Sequence, residues 1–283
     1  MTSNAPIAPI APIAPIAPIA PKKRVKRKEL NHSYRPDDET IEIGVDEVGR
    51  GPLFGRVYVA AVVLPRTSET FQYELMKDSK RFTSEKKIRA SADHIREHAT
   101  AYSVEFEEAD TIDRLNIRNA TLKCMHRAVN NVRSQLESGA TGTADMLIIV
   151  DGKDFRPVTY FNHVTETIES LNHECIVGGD DLYCSIAAAS IIAKVARDDY
   201  IRELCTTYPL LHEYYNLASN KGYGAAAHME GIVQHGITKW HRMSYRPVAV
   251  AKKKLPESFY TEVAAGSVAA GSVAAGSGFV DTT

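Results

Sequence analysis

Apolar and polar positions along this chain alternate with two distinct periods, one fitting strands and one fitting helices. Glu42–Val48 (EIGVDEV) alternates as a strand does, and Arg56–Leu64 (RVYVAAVVL) is a β-branched run that predicts a second strand. The short connection between them, Gly51 to Gly55, predicts an antiparallel hairpin. A helix is expected over Ser84–His98 with Ser84 as N-cap, and a third strand over Tyr102–Glu105. Ile117–Leu136 places Leu122, Met125, Val129, Val132 and Leu136 at helical spacing, which predicts the longest amphipathic helix. The apolar run Asp145–Val150 predicts a buried strand ended by Asp151. Cys175–Val177 predicts a short strand stopping at Gly178-Gly179. Helices are expected over Ile186–Cys205 and around Ala225–His235. Strands first, then alternating helices and strands, predict an α/β body with a mixed sheet.

Both ends break this pattern. Ala5–Pro21 repeats Ala-Pro-Ile, and a proline at every third position matches polyproline II while removing the N–H groups a helix or ladder needs. Val-Ala-Ala-Gly-Ser repeats three times over Val263–Ser277 and reads as a flexible tail. Between the proline repeat and the body lies KKRVKRK, Lys22–Lys28, which is an import signal, an arm for phosphates, or a solvated charge run. The expected division is therefore a disordered spacer and basic arm over 1–37, a folded unit over 38–262, and a flexible tail over 263–283.

Composition changes the picture little. The chain has 283 residues, 44% of them hydrophobic, so it can bury a full-sized core, and a net charge of −1 advertises no global basic field. The four cysteines, Cys124, Cys175, Cys184 and Cys205, form no CxxC pair and are expected as free buried thiols. No apolar run approaches the ~18 residues of a membrane span.

Acidic positions carry the candidate chemistry. Asp46, Glu47, Asp151 and Asp180 each stand at, or just after, the end of an apolar strand-like run. In open α/β sheets, side chains at strand ends leave the core and converge on a crevice. Taken singly, Asp151-Gly152 reads as a turn and Asp180-Asp181 as a helix cap. Taken together, carboxylates sharing a crevice raise one another's pKa unless cations neutralise them, and hard divalent ions do so through oxygen. No HExxH, Cys/His cluster or Walker loop competes, so oxygen-only ligands at a sheet edge fit two-metal phosphodiester hydrolysis. Gly49-Arg50-Gly51 reads either as a concave anion-binding turn or as a hairpin needing positive φ with Arg50 in solvent. Ser190, Lys194 and Arg197 share one face of the Ile186–Cys205 helix, as a solvated stripe or as groups pointing to the crevice.

Seven segments then carry a resemblance: GVDEVGRGPLFG (Gly44–Gly55), DSKRFTSEKK (Asp78–Lys87), LNIRNATLKCMHRAV (Leu115–Val129), IIVDGK (Ile148–Lys153), GGDDLYCSIAAASIIAKVARD (Gly178–Asp198), NKGYG (Asn220–Gly224) and HRMSYRPV (His241–Val248). In this order, and spanning nearly the whole body, they are similar to the type 2 ribonucleases H, the ribonuclease HII family. The resemblance implies an RNase H-like mixed sheet flanked by helices, with a helical C-terminal part that helps clamp a duplex. It implies that Asp46, Glu47, Asp151 and Asp180 bind Mg²⁺ or Mn²⁺ and are catalytic. Gly49, Arg50 and Gly51 would contact the 2′-OH of a ribonucleotide, Tyr223 would stack on the following deoxyribose, and Lys80 would meet a substrate phosphate. Arginines and lysines over Lys80–Lys87 and Lys239–Arg246 would add backbone affinity.

The expected substrates and partners are RNA–DNA hybrids and duplex DNA containing ribonucleotides, cut 5′ of the ribonucleotide to leave 3′-OH and 5′-phosphate ends. A non-catalytic hybrid-binding protein and another RNase H-like nuclease are the alternatives. A monomer is expected, in the cytoplasm, while KKRVKRK leaves a nuclear location open. The segment around Tyr214–Asn220 is a few residues longer than in bacterial members. The C-terminal end offers only Phe279 where some relatives carry paired aromatics, so a sliding-clamp partner is not expected.

Overall fold

The structure, a computed structural model, describes residues 29–139, 145–162, 165–251, 254–256 and 259. The Ala-Pro-Ile repeat, the basic arm, the Val-Ala-Ala-Gly-Ser tail and Phe279 lie outside the described residues.

The predicted hairpin is present: β1 (Ile41–Val48) pairs antiparallel with β2 (Val57–Val63), with Gly44 opposite Val62 and Val48 opposite Tyr58. Every residue of β2 is buried, as its unbroken apolar run requires of a strand covered on both faces. Helix α1 (Glu85–His98) follows; Ser84 occupies its N-cap but makes no capping hydrogen bond with its side chain. β3 (Ala101–Glu107) pairs antiparallel with β2 and completes a meander. A seven-residue helix α2 (Ala109–Leu115), too short to show a period, then leads into α3 (Ile117–Gly139). β4 (Met146–Asp151) runs parallel to β1. An antiparallel pair not foreseen from the pattern, β5 (Thr159–Asn162) and β6 (Thr167–Ser170), stands apart as a two-stranded sheet. β7 (Asn172–Ile176) runs parallel to β4; it starts three residues before the predicted strand and ends before Val177. The main sheet thus has the order β3-β2-β1-β4-β7 and is mixed, as expected.

Helix α4 (Cys184–Thr207) crosses one face of the sheet and α3 the other. Leu122, Met125, Val129 and Val132 of α3 pack with Ile43, Val45, Val57 and Val59. The α4 face gathers Ile191, Ile192 and Val195 with Tyr58, Ala60 and Val62, together with Ile88 and Ile95 of α1. Alanines let α4 sit low on the sheet. The limit is reached at Gly44, where an added Cβ would stand 2.3 Å from the Ser185 carbonyl carbon. The expected helical C-terminal part comprises α5 (Leu210–Tyr215), α6 (Leu217–Asn220), α7 (Ala226–His235) and α8 (Arg246–Ala249). The longer Tyr214–Asn220 segment is absorbed by α5 and α6.

One expectation needs correction, and one open alternative is decided. Cys124 and Cys184 are free and buried, but Cys175 is exposed because β7 is an edge strand, and Cys205 is half-buried. Of the two readings of the face carrying Ser190, Lys194 and Arg197, the solvated stripe falls: Ser190 and Arg197 are buried, because α4 lies in the core along most of its length.

Candidate active site

Strand alternation decides where the acids point. In β1, Ile43 and Val45 face α3, so Gly44 and Asp46 face α4. In β4, Ile148 and Val150 face α3, while Leu147 and Ile149 pack on Ile186 of α4. Val45 is paired with Val150 in parallel register, so the next residues, Asp46 and Asp151, end adjacent strands side by side on the α4 face. Asp180 arrives from the neighbouring β7, in a 3₁₀ turn over Gly179–Asp181 entered through left-handed Gly178. Glu47 follows Asp46 directly. The four predicted acids therefore come to one end of the sheet.

Their electrostatics are unfavourable without a cation. Burial, followed by the Glu47 and Asp151 charges, pushes the Asp46 carboxyl well above its ordinary range, and the Ser190 hydroxyl beside it opposes the shift. Burial also raises Glu47 against Arg50, and raises Asp180, with Asp151 adding to the effect and Lys80 opposing it. Among the described residues, no group of three or more His, Cys, Asp or Glu side chains is already gathered so as to hold an ion. Each acid is held instead by a donor of its own. Asp46 accepts from the Glu47 amide at 2.7 Å, Glu47 from Arg50 at 3.0 Å, and Asp151 from the Gly179 amide at 2.7 Å. Asp180 lies 3.5 Å from the Lys80 ammonium. The donor set is carboxylate oxygen throughout and carries excess negative charge in a partly dry site, which suits a hard divalent cation.

Partial burial disfavours the Lys80 ammonium, yet Asp180, Asp78 and Asp46 together raise it above its ordinary value. The Lys80 side chain is 80% exposed, so its pairing with Asp180 is easily exchanged for another anion. Next to it, the Ser79 hydroxyl shares a buried 2.9 Å hydrogen bond with Ser190, which ties the Asp78–Lys80 segment to α4 beside Asp46.

The glycine-rich turn after β1 is built on two buried arginines. Gly49 has φ +93°, and a Cβ there would meet Arg197 Nε at 2.4 Å, so close approach and backbone both require glycine. Arg242, fully buried, donates to the carbonyls of Gly49 (2.7 Å), Arg50 (3.0 Å), Pro52 (2.8 Å) and Gly55 (2.8 Å). The Arg50 side chain remains half-exposed. Arg197 donates to the Lys221 carbonyl at 2.8 Å, and the Leu53 amide to the Gly222 carbonyl at 2.8 Å, joining this turn to the one carrying Tyr223. Tyr223 is 50% exposed, and its ring edge lies 3.5 Å from where a Cβ on Gly51 would stand. The structure thus brings Gly49, Arg50, Gly51 and Tyr223 together, and Lys80 to the acidic end.

Arg242 corrects one expectation. It belongs to the Lys239–Arg246 stretch read as contacting substrate, but its guanidinium is spent on loop carbonyls, whereas Lys239 and Arg246 are exposed. Sequence pattern cannot distinguish a buried arginine serving backbone carbonyls from a surface one, since neither shows a period. The same holds for Arg197. Ser190 could be suspected, because one of the two readings of its helix face points it to the crevice.

Three comparisons bear on this arrangement. The family model for ribonuclease HII matches residues 43–248. A ribonuclease HII of Parabacteroides distasonis is 40% identical over 205 residues, covering 72% of this chain and 89% of that protein. One of Phocaeicola vulgatus is 38% identical over 207 residues, covering 73% and 90%. Among solved structures, ribonuclease H2 of Pyrococcus horikoshii has a similar fold, with a TM-score of 0.55 at 23% identity, covering 77% of this chain and 98% of that one. The RNase HII of Archaeoglobus fulgidus, solved in complex with PCNA, has a TM-score of 0.52 at 24% identity, covering 72% and 95%. The family match runs from the strand that carries Asp46 to the helix after Arg242, over the whole of the site described above. The chain belongs to the ribonuclease HII family and is a metal-dependent endoribonuclease of the type 2 ribonuclease H class.

Proposed function

We propose that this endoribonuclease cuts the RNA strand of RNA–DNA hybrids and cleaves 5′ of single ribonucleotides embedded in duplex DNA, leaving 3′-OH and 5′-phosphate ends. The observation that carries the reading is the placement of an exposed Tyr223 ring against Gly51, in a turn that leaves the acidic sheet end directly after Asp46 and Glu47.

Asp46, Glu47, Asp151 and Asp180 are the residues that would hold two divalent ions, Mg²⁺ or Mn²⁺. When bound, such ions stabilise charge on the attacking and leaving oxygens of an in-line displacement. The Gly49-Arg50-Gly51 backbone is rigidly supported from below and open above, which suits inspection of a 2′-OH, the group that separates RNA from DNA. The Tyr223 face suits stacking on the sugar that follows. Lys80, with exposed Arg81, Lys86, Lys87, Lys239 and Arg246, would contact phosphates in a salt-dependent manner. We place the catalytic unit within 38–262, acting as a monomer in the cytoplasm, with a nuclear location left to the basic arm; no sliding-clamp partner is proposed. No helix among the described residues is long and apolar enough to cross a membrane.

The test is incubation of the purified protein with Mg²⁺ or Mn²⁺ and three end-labelled duplexes: all-DNA, DNA with one ribonucleotide, and an RNA–DNA hybrid. Cleavage of the last two on the 5′ side of ribonucleotides, abolished by chelator, is expected. An intact single-ribonucleotide duplex, or a cut all-DNA duplex, overturns the reading.

A further inference from the structure

Beneath the Tyr223 turn lie two histidines that the site described above does not use. His228, in α7, and His241, thirteen residues later, are both buried, and their Nε2 atoms stand 3.1 Å apart. The remaining ring nitrogens determine which way the protons lie. The backbone amide of Thr238 lies 3.0 Å from His241 Nδ1, and an amide can only donate, so this nitrogen accepts. A neutral His241 then carries its proton on Nε2 and donates it to His228 Nε2. His228, accepting there, carries its proton on Nδ1, which lies 2.9 Å from the Tyr223 carbonyl oxygen. The result is a one-way chain from Thr238 through two rings in opposite tautomers to the backbone of Tyr223.

The chain works only with both rings neutral. A second proton on His241 Nδ1 would face the Thr238 amide, and one on His228 Nε2 would face another N–H. The surroundings enforce neutrality. Phe54, from the β1–β2 connection, presents its ring to both histidines, and so does Tyr215 of α5. Tyr215 turns its hydroxyl to the Gly236 carbonyl at 2.8 Å, and Arg242, adjacent in sequence, turns its guanidinium to the glycine-rich turn. Burial lowers His228 although the Tyr223 and Gly222 carbonyls oppose it, and burial with the neighbouring His228 pushes His241 down to about 3.

We propose that His228 and His241 are positioning residues that fix the Tyr223 backbone, and that they thereby set the preference for a ribonucleotide followed by DNA over continuous RNA. The inference rests on Tyr223 as reader of the RNA–DNA junction. The relay holds the carbonyl of the residue whose ring must meet the sugar, so its loss tilts the ring without touching the acidic end of the sheet.

The experiment measures kcat/KM on a single-ribonucleotide duplex and on a continuous hybrid, and takes their ratio. His228→Ala lowers the ratio by about tenfold or more, on the scale that small misplacements cost. His228→Asn, which keeps a donor near the Nδ1 position, restores part of it. In the His228→Ala, Tyr223→Ala double variant, the ratio is no lower than in Tyr223→Ala alone. If Tyr223→Ala shifts the ratio and His228→Ala does not, the relay is overturned while the junction reading stands. If Tyr223→Ala leaves the ratio unchanged, both fall. Should the variants fail to fold, ¹⁵N spectra of the wild-type histidines decide: opposite neutral tautomers that persist at pH 5.5 support the relay, and a titration of either ring near its ordinary pKa overturns it.

Discussion

The guanidinium of Arg242 and the carbonyl oxygen of Arg50 lie 3.0 Å apart, joined across 192 positions of sequence. Through this bond and its companions to Gly49, Pro52 and Gly55, one side chain near the end of the folded body holds the turn that follows the first strand. A lysine has no planar fork with which to reach several carbonyls at once. Arg242→Lys is therefore expected to leave buried carbonyls unpaired and to cost about 2–4 kcal/mol in urea unfolding, with cleavage lost in parallel. Wild-type stability in this variant would remove the supporting role.

Asp46 is predicted to be a liability to the metal-free fold. Its folded pKa is raised, so the folded protein binds a proton more tightly than the unfolded chain, and stability present at acid pH is lost as pH rises through the folded pKa. Asp46→Asn should remove that loss, raising the metal-free melting temperature at pH 7 by about 3 °C while abolishing cleavage. Added Mg²⁺ should raise the melting temperature of the wild type more than that of the variant. An equal Mg²⁺ response in both would separate Asp46 from the ion.

The two glycines flanking Arg50 should part company on substitution. Gly49→Ala meets a positive φ and the buried Arg197, and is expected to cost about 1–3 kcal/mol with loss of activity. Gly51→Ala places its methyl in ordinary contact with Tyr223, so melting should change by less than about 2 °C. Its cleavage of a single-ribonucleotide duplex should nevertheless fall, because the methyl occupies the space a sugar would approach. Equal destabilisation of the two variants would contradict the geometry.

Acid should weaken the fold through His228 and His241. Both are held neutral with lowered pKa, whereas an unfolded histidine takes up a proton near pH 6.5. The unfolded chain thus binds more protons below that point, and the pair's contribution, complete above it, is lost as pH falls through about 6.5 toward the folded values. Urea unfolding at pH 7 and pH 5 should differ by about 2–4 kcal/mol from this source, and replacing both rings with Asn and Gln should flatten the slope by that amount. An unchanged slope would show that neither ring is buried neutral.

Much of this architecture can be read from residues alone, and the reason is period. Ile43, Val45 and Asp46 declare a strand with a polar end, and Leu122 to Val132 declare a helix, because each burial partner recurs at the spacing of its element. The four acids stand at the ends of apolar runs in the sequence, and register brings Asp46 beside Asp151. What stayed hidden depends on contacts between distant segments. Helix α2 and the β5–β6 hairpin are too short to show a period. Arg242, Arg197, His228 and His241 are polar residues at core positions, and no local pattern reveals that their partners are backbone groups and, for the histidines, each other's rings. That each acid has a donor of its own is likewise a matter of side-chain geometry.

The tie between Arg242 and the glycine-rich turn also has a temporal side. The ribosome releases Asp46, Glu47 and Gly49-Arg50-Gly51 almost two hundred residues before it releases the side chain that shapes them. A nascent chain can pair its strands, yet its glycine-rich turn stays unbraced until the last helices have emerged and docked. Chains that terminate early, through a frameshift or a premature stop, carry the acidic pair but lack the side chain that braces the turn beside it, and so would emerge with one end of the sheet unfinished.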